Sequence, residues 1–388
     1  MSLLEHFFLC DLYTKNDYKG LVFNSSLRLE HEFETLENNS TTYRAKTHIV
    51  EAVNSNSYFL DALRKLNAVI NIFTMFASCE SLSDEIKQIL SCTNETLDND
   101  EQKVIHNLMN KILKDKNKLP KALVMKFVIC VFLAEEKSKS DIKKFYGVFC
   151  LSTLFNIFEN DKGKEIFSSI LKSSNDNWHI ELIKKLKDRY ISSKHTQARL
   201  FSAIKQPKDK NDGDYQHRCK SLAVIYNYFK IEDSVIVCKP IDKVMKYLTN
   251  SDMFSTEHLI ISKSDKLKIH DAITYHLPPE IKKYQDKIFN FIFIPKSTND
   301  ECGNYWLPEK MSILKLKEID CEYSKMIIDH LNQLSDDMTS ALGDDFGNTR
   351  TKLDSFFLRD FKDAYLDYAR TALAKIMNKL VTNNGVTE

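Results

Sequence analysis

Thr256-Glu257-His258-Leu259-Ile260-Ile261-Ser262-Lys263-Ser264 and Phe289-Asn290-Phe291-Ile292-Phe293-Ile294-Pro295-Lys296-Ser297-Thr298-Asn299-Asp300 are the segments from which the rest of the chain is best approached. Both read as short β-like runs, and within them an acid, an imidazole and two amides fall close together. Glu257 and His258 are adjacent, so on a strand their side chains point to opposite faces. Such a pair can serve a cation and a water separately. Asn290 heads the second run, and Asn299 follows it where a helix or turn can aim its carbonyl oxygen at a magnesium ion. The expected order is strand, long loop, strand, helix. Hydrolysis of a phosphodiester needs a base to take a proton from water and a divalent cation to neutralise charge on the phosphate. A histidine beside hard oxygen donors meets both needs, so this grouping suggests a metal-dependent phosphodiesterase.

Around these segments the chain reads as scaffold. Its 388 residues allow two or three domains, and 43% of them are apolar, enough for an ordinary core. Eight glycines and seven prolines leave little material for glycine-dependent phosphate loops or turn-rich β architectures, so a mostly helical fold is expected. Lysine plus arginine (55) nearly cancels aspartate plus glutamate (54), and any basic surface must be local. Nine cysteines form no CxxC pair and sit mostly in apolar runs such as Val128-Ile129-Cys130-Val131-Phe132, which fits reduced, core-filling thiols in a cytosol. The N-terminal Met1-Ser2-Leu3-Leu4-Glu5-His6 lacks the basic-then-apolar pattern of a secretory leader. The longest apolar run, Val124 to Ala134, is interrupted by Lys126 and is too short to span a bilayer. A cytoplasmic protein with no membrane partner is expected.

From Thr47 to about Ala77 the apolar residues Ile49, Val53, Phe59, Leu60, Leu63, Leu66, Ile70 and Phe73 recur at helical spacing. Further helices are expected near 82–91, 100–115, 120–136, 140–159, 162–173, 177–191 and 194–205. The polar run Pro207-Lys208-Asp209-Lys210-Asn211-Asp212-Gly213-Asp214 marks a soft boundary. Past it come a helix from His217 to Phe229, a β-like Ser234–Cys238 and a helix from Ile241 to Leu248. Beyond the paired segments, 307–333 is helical in pattern, Ser335 to Arg350 is polar and expected to be a loop, and Lys352 to Leu380 reads as one long closing helix.

The grouping at 257–299 resembles the HNH, or ββα-metal, nucleases, and within them the C-terminal HNH domain of GmrSD-type modification-dependent restriction enzymes. The resemblance covers residues 255–315. It implies a mainly α protein: a helical scaffold carrying a small inserted ββα-metal module near the C-terminus. The corresponding parts are an N-terminal helical domain (1–206), a helical connector (207–254), the HNH-like module (255–320) and a closing helical segment (321–388). By the same resemblance His258 is the general base, Glu257 and Asn299 hold Mg2+ or Mn2+, and Asn290 fixes the loop beneath the histidine. Lys263, Asn304, Lys310, Lys205 and Lys208 are expected to contact nucleic acid, Asn304 and Lys310 alternatively bracing the helix. The chain departs from the family pattern in having Ile261 where a proline is usual and a glutamate where aspartate is frequent.

The function implied is that of a DNA endonuclease, the effector of a bacterial restriction or anti-phage system. Because no nucleotide-hydrolysing or target-sensing motif is recognisable, a separate ATPase or sensor subunit is expected as partner. Asp212-Gly213-Asp214-Tyr215-Gln216-His217-Arg218 has some of the right letters for such a motif in the wrong order and place. The competing reading is a helical adaptor whose HNH-like module is catalytically inactive and only holds a partner protein or nucleic acid. His258 would then be a partly buried histidine bonded to backbone, and the basic residues between 181 and 230 an ordinary solvated helix surface. His270 and His276, in the intervening segment, are either solvated or lie near the metal.

Overall fold

The computed structural model describes residues 56–114, 118–158, 177–191, 214–232, 235–239, 255–261, 266–282, 284–285, 287–343 and 348–381. It is mainly helical. The helices expected at 162–173, 194–205 and 241–248, the boundary near 206, and Lys205, Lys208 and Lys263 lie outside the described residues. The chain divides into two compact units, one of Met1–Leu182 with Asp233–Ile236 and one of Ile183–Glu232 with Val237–Glu388.

The first unit contains α1 (Asn56–Ser78), α2 (Asp84–Ile89), α3 (Asn99–Lys114), α4 (Lys118–Phe127), α5 (Lys139–Lys143), α6 (Phe145–Phe158) and the start of α7 (Trp178–Tyr190). Several starts are written in the sequence. Asp98 accepts hydrogen bonds from the backbone N–H groups of Asp100 (3.0 Å) and Glu101 (2.7 Å), and the Glu101 carboxylate in turn accepts one from Asp98 N–H at 3.1 Å. Ser138 and Asp141 make the same reciprocal cap at α5. Two of the long expected helices are broken. The stretch read as 120–136 passes from α4 into a π-helical turn, Val128–Phe132, in which Leu133 N–H bonds Val128 O at 3.0 Å. The wider turn sets Phe132 against Phe127 (ring centroids 4.9 Å apart) and Phe76 (6.0 Å). The stretch read as 140–159 is split at Lys144 into α5 and α6.

The second unit holds α8 (Asp214–Tyr228), the strands β1 (Phe229–Glu232), β2 (Val235–Cys238, its last two residues in this unit), β3 (Ser255–His258), β4 (Lys266–Ile269) and β5 (Ile273–His276), and the short helix α9 (Pro279–Lys282). A 3-10 turn, Ile288–Asn290, leads into β6 (Phe291–Ile294), then α10 (Lys296–Cys302), α11 (Leu307–Lys315), α12 (Glu322–Leu342), α13 (Thr349–Arg359) and α14 (Phe361–Lys379). β3 and β6 pair antiparallel with Ser255 opposite Ile294 and His258 opposite Phe291. All four residues of β6 are buried, so both faces of that strand are covered, which explains its unbroken apolar run. Ser324 of α12 both donates to Phe293 O and accepts from Phe293 N–H, each at 2.9 Å, and so closes the free edge of β6. Tyr368 of α14 donates to Phe289 O at 2.8 Å.

The segment between β3 and β6, expected as a loop, contains the β4–β5 hairpin. Its turn places His270 and Asp271 at φ 49° and 52°, with Ala272 N–H bonded to Ile269 O at 3.3 Å, the two left-handed residues of a type I′ turn. The region expected to be polar loop from Ser335 continues α12 to Leu342, because Leu334, Met338 and Leu342 keep burying the same face. The single closing helix expected over 352–380 is two helices that meet at Asp360.

Candidate functional site

β3 pairs with β6, the β4–β5 hairpin and α9 lie between them in sequence where a long loop was expected, and α10 follows β6 and packs against β3. Asn290 sits at the entrance of β6 with no exposure to solvent. Its side-chain oxygen accepts from Ile260 N–H (2.7 Å) and Ile261 N–H (3.0 Å), and its side-chain nitrogen donates to Ile261 O (2.8 Å) and Gln285 O (2.7 Å). These bonds use all of the amide's usual capacity. They hold the backbone that leaves β3 immediately after His258, and Leu259 N–H adds a bond to Asn290 O at 2.9 Å.

The pleat of β3 sorts the remaining residues. Ser255 and Glu257 share one face, Thr256 and His258 the other. On the first face the side-chain nitrogen of Asn299, from α10, donates to the Ser255 hydroxyl. Lys310, from α11, donates to the Glu257 carboxylate and to His258 O. Lys310 has no exposure and Glu257 is 6% exposed, so this is an ion pair within the core. Burial pushes the Glu257 carboxyl above its ordinary range, opposed by the Lys310 ammonium and the bond to it. On the second face the half-buried His258 ring meets its cross-strand neighbour Phe291 edge-on, with centroids 4.5 Å apart.

The expected cation ligands can be tested against this geometry. One is a buried carboxylate whose nearest charge is an ammonium, and the other is an amide engaged by Ser255 through its nitrogen. A divalent ion at Glu257 would stand beside a buried positive charge, a strongly unfavourable arrangement in a poorly screened interior. Glu257 therefore does not fit Mg2+ or Mn2+ as arranged, and His258 projects from the opposite face of the strand. Among the described residues, no group of three or more His, Cys, Asp or Glu side chains gathers as a metal-holding cluster.

Lys310, with no exposure, links α11 to β3 through its bonds to Glu257 and His258 O. Asn304 is exposed, and its backbone oxygen accepts from Lys268 N–H at 2.9 Å. His276 is exposed. His270, half-exposed at the hairpin turn, has Nδ1 3.0 Å from the Glu309 carboxylate, and its backbone N–H donates to the same oxygen. Tyr305 donates to Asp271 at 2.6 Å, so both turn residues are tied to the segment that opens α11. The residue that sequence reasoning under-used is Lys310. It stands in the buried stripe Leu307, Lys310, Met311, Leu314, and a lysine at a core position of a helix signals a buried counter-charge.

No protein-family model, curated protein or solved structure matches this chain. No helix among the described residues is long and apolar enough to cross a membrane.

Proposed function

We propose that residues 255–315 form a nucleic-acid phosphodiesterase module, with DNA as the expected substrate and His258 as the general base. The observation that carries this reading is the bonding of Asn290. A buried side chain with all its hydrogen-bonding capacity spent on the backbone just beyond His258 fixes where that histidine stands, which is the role the resemblance to HNH nucleases assigns to an asparagine at the start of the second strand. The antiparallel pairing of β3 with β6 and the packing of α10 on β3 support the same reading. The residues themselves supply a base held at the end of a strand and a braced loop beside it. The wider assignment, effector of a bacterial restriction or anti-phage system controlled by a separate ATPase or sensor subunit, rests on that resemblance and on the lack of a recognisable nucleotide-hydrolysing motif in the sequence.

The Glu257–Lys310 ion pair favours a second reading, a non-catalytic module that holds a partner or nucleic acid. A plasmid-nicking assay with and without Mg2+ or Mn2+, comparing the full chain with His258→Ala, separates the two. Metal-dependent nicking that disappears in His258→Ala supports the nuclease. No nicking under any condition, together with an in-cell activity that His258→Ala leaves unchanged, selects the adaptor.

A further inference from the structure

We infer that Lys310 is the fixed cation of this site: its ammonium holds Glu257 in place of a divalent ion and, through the carbonyl of His258, positions the histidine. The inference builds on the module proposed above and concerns which charge sits on Glu257, a question that can be answered without measuring cleavage.

A carboxylate this far inside a protein is stable as an anion only with a partner of opposite charge at bonding distance. Glu257 has one, and the partner comes from a different element, α11, fixed by the buried stripe on which Lys310 lies. An ammonium with no exposure is equally committed, because leaving the pair would strand its own charge in the core. Its second acceptor is the carbonyl of His258, so a single side chain spans the acid and the backbone of the histidine. In a metal-centred arrangement the carboxylate would be shared between the protein and an exchangeable ion. Here the cation is covalently part of the chain and cannot dissociate.

Two consequences follow. Glu257 contributes no affinity for a divalent ion, so an ion used in catalysis must be held by other groups, including the phosphate of the substrate. Removing the Lys310 charge while keeping Glu257 should create no cation site, because a buried carboxyl without its partner is held as the neutral acid.

The test is a Mn2+ titration of the full chain followed by electron paramagnetic resonance, comparing the wild type with Glu257→Gln, Lys310→Met and the double variant Glu257→Gln/Lys310→Met. Equal Mn2+ binding by wild type, Glu257→Gln, Lys310→Met and the double variant is the expected result. A wild-type Mn2+ site that Glu257→Gln abolishes overturns the inference. If Lys310→Met fails to fold, the wild type against Glu257→Gln comparison still decides. For the positioning role, the NMR signals of the His258 imidazole should shift in the double variant, which keeps apolar volume but loses the bond to His258 O. Unchanged His258 signals in a folded double variant overturn that half of the inference. Loss of nicking in His258→Ala bears on the proposed reaction and leaves these outcomes untouched.

Discussion

Asn290 and Ile261 are joined in both directions: the asparagine oxygen accepts from Ile261 N–H at 3.0 Å while its nitrogen donates to Ile261 O at 2.8 Å. The side chain therefore acts as a strand of one residue, pairing with the chain that leaves β3. Asn290→Ala removes the partners of Ile260 N–H, Ile261 N–H, Ile261 O and Gln285 O at once, within the core. Each unpaired buried group costs about 1–3 kcal/mol, and because they share one site the sum is not additive, so a loss of about 3–5 kcal/mol is expected in urea unfolding. Asn290→Asp keeps the shape but, when ionised, sets an oxygen against two carbonyls. Its carboxyl pKa should be raised in the folded state, so the variant's deficit should be small in acid and widen as pH rises through that value. A deficit independent of pH between about 4 and 8 would contradict this account.

Ser324 offers a second measurement of the same kind. Its hydroxyl both donates to and accepts from Phe293 in the middle of β6, and neither residue is exposed. Ser324→Ala leaves a strand N–H and C=O unsatisfied beneath α12, and we expect a loss of about 2–4 kcal/mol. Native-state hydrogen exchange gives the specific readout, since the Phe293 amide should lose protection more than the amides of α14. Equal loss throughout the unit would indicate a general repacking instead.

How much of this was legible in the sequence can be judged from particular residues. The long helices are legible in the apolar spacing, and α3 lies within a residue of the expected 100–115 at both ends. The β4–β5 hairpin was taken for a loop even though Lys266-Leu267-Lys268-Ile269 and Ile273-Thr274-Tyr275-His276 alternate as half-buried strands do. The tail of α12 was missed because its polar residues outnumber Leu334, Met338 and Leu342, although their interval of four is the helical signal. The breaks at Lys144 and Asp360 carry no glycine or proline. The second is set by the ring cluster of Phe356, Phe357, Phe361 and Tyr365, a tertiary cause that local letters do not contain. At the site, the place of Asn290 at the head of the second β-like run came from the sequence itself. The partnership of Glu257 and Lys310 did not, because it joins elements far apart in sequence and depends on which way α11 turns its lysine.

Glu101 at the start of α3 gathers Lys139 (2.9 Å) and Lys143 (2.6 Å). Burial raises its carboxyl pKa, but the bonds to Lys143, Lys139 and Asp98 N–H outweigh that, and the net shift is downward. A depressed carboxylate pKa adds stability above the unfolded value of 4.5, and that stability is lost as pH falls through the folded value. Glu101→Gln should cost about 2 kcal/mol at neutral pH, measured by urea unfolding. The gap between wild type and variant should close in acid below the ordinary carboxylate range. A constant gap would mean that the cap, and not the charge, carries the effect.

Gly147 of α6 lies directly against the ring of His179 of α7. A Cβ built on Gly147 would lie 2.0 Å from His179 Cδ2, so even a methyl group does not fit while the ring stays in place. Gly147→Ala should destabilise by about 2–3 kcal/mol, because overpacking forces the helices apart or the ring off its rotamer. His179 itself is 1% exposed, and burial, aided by the charge of Lys144, pushes its pKa down to about 4 from an ordinary 6.5. The folded protein thus holds the imidazole neutral while the unfolded chain takes up a proton below about pH 6.5. The stability due to neutral burial is complete above the unfolded value and is lost progressively as pH falls towards the folded one. At about 1.36 kcal/mol for each pKa unit, the wild type should lose about 3 kcal/mol between neutral pH and pH 4 that His179→Gln does not lose. Urea unfolding of both proteins across that range measures it, and parallel pH profiles would show that His179 is protonated, or accessible to water, in the folded state.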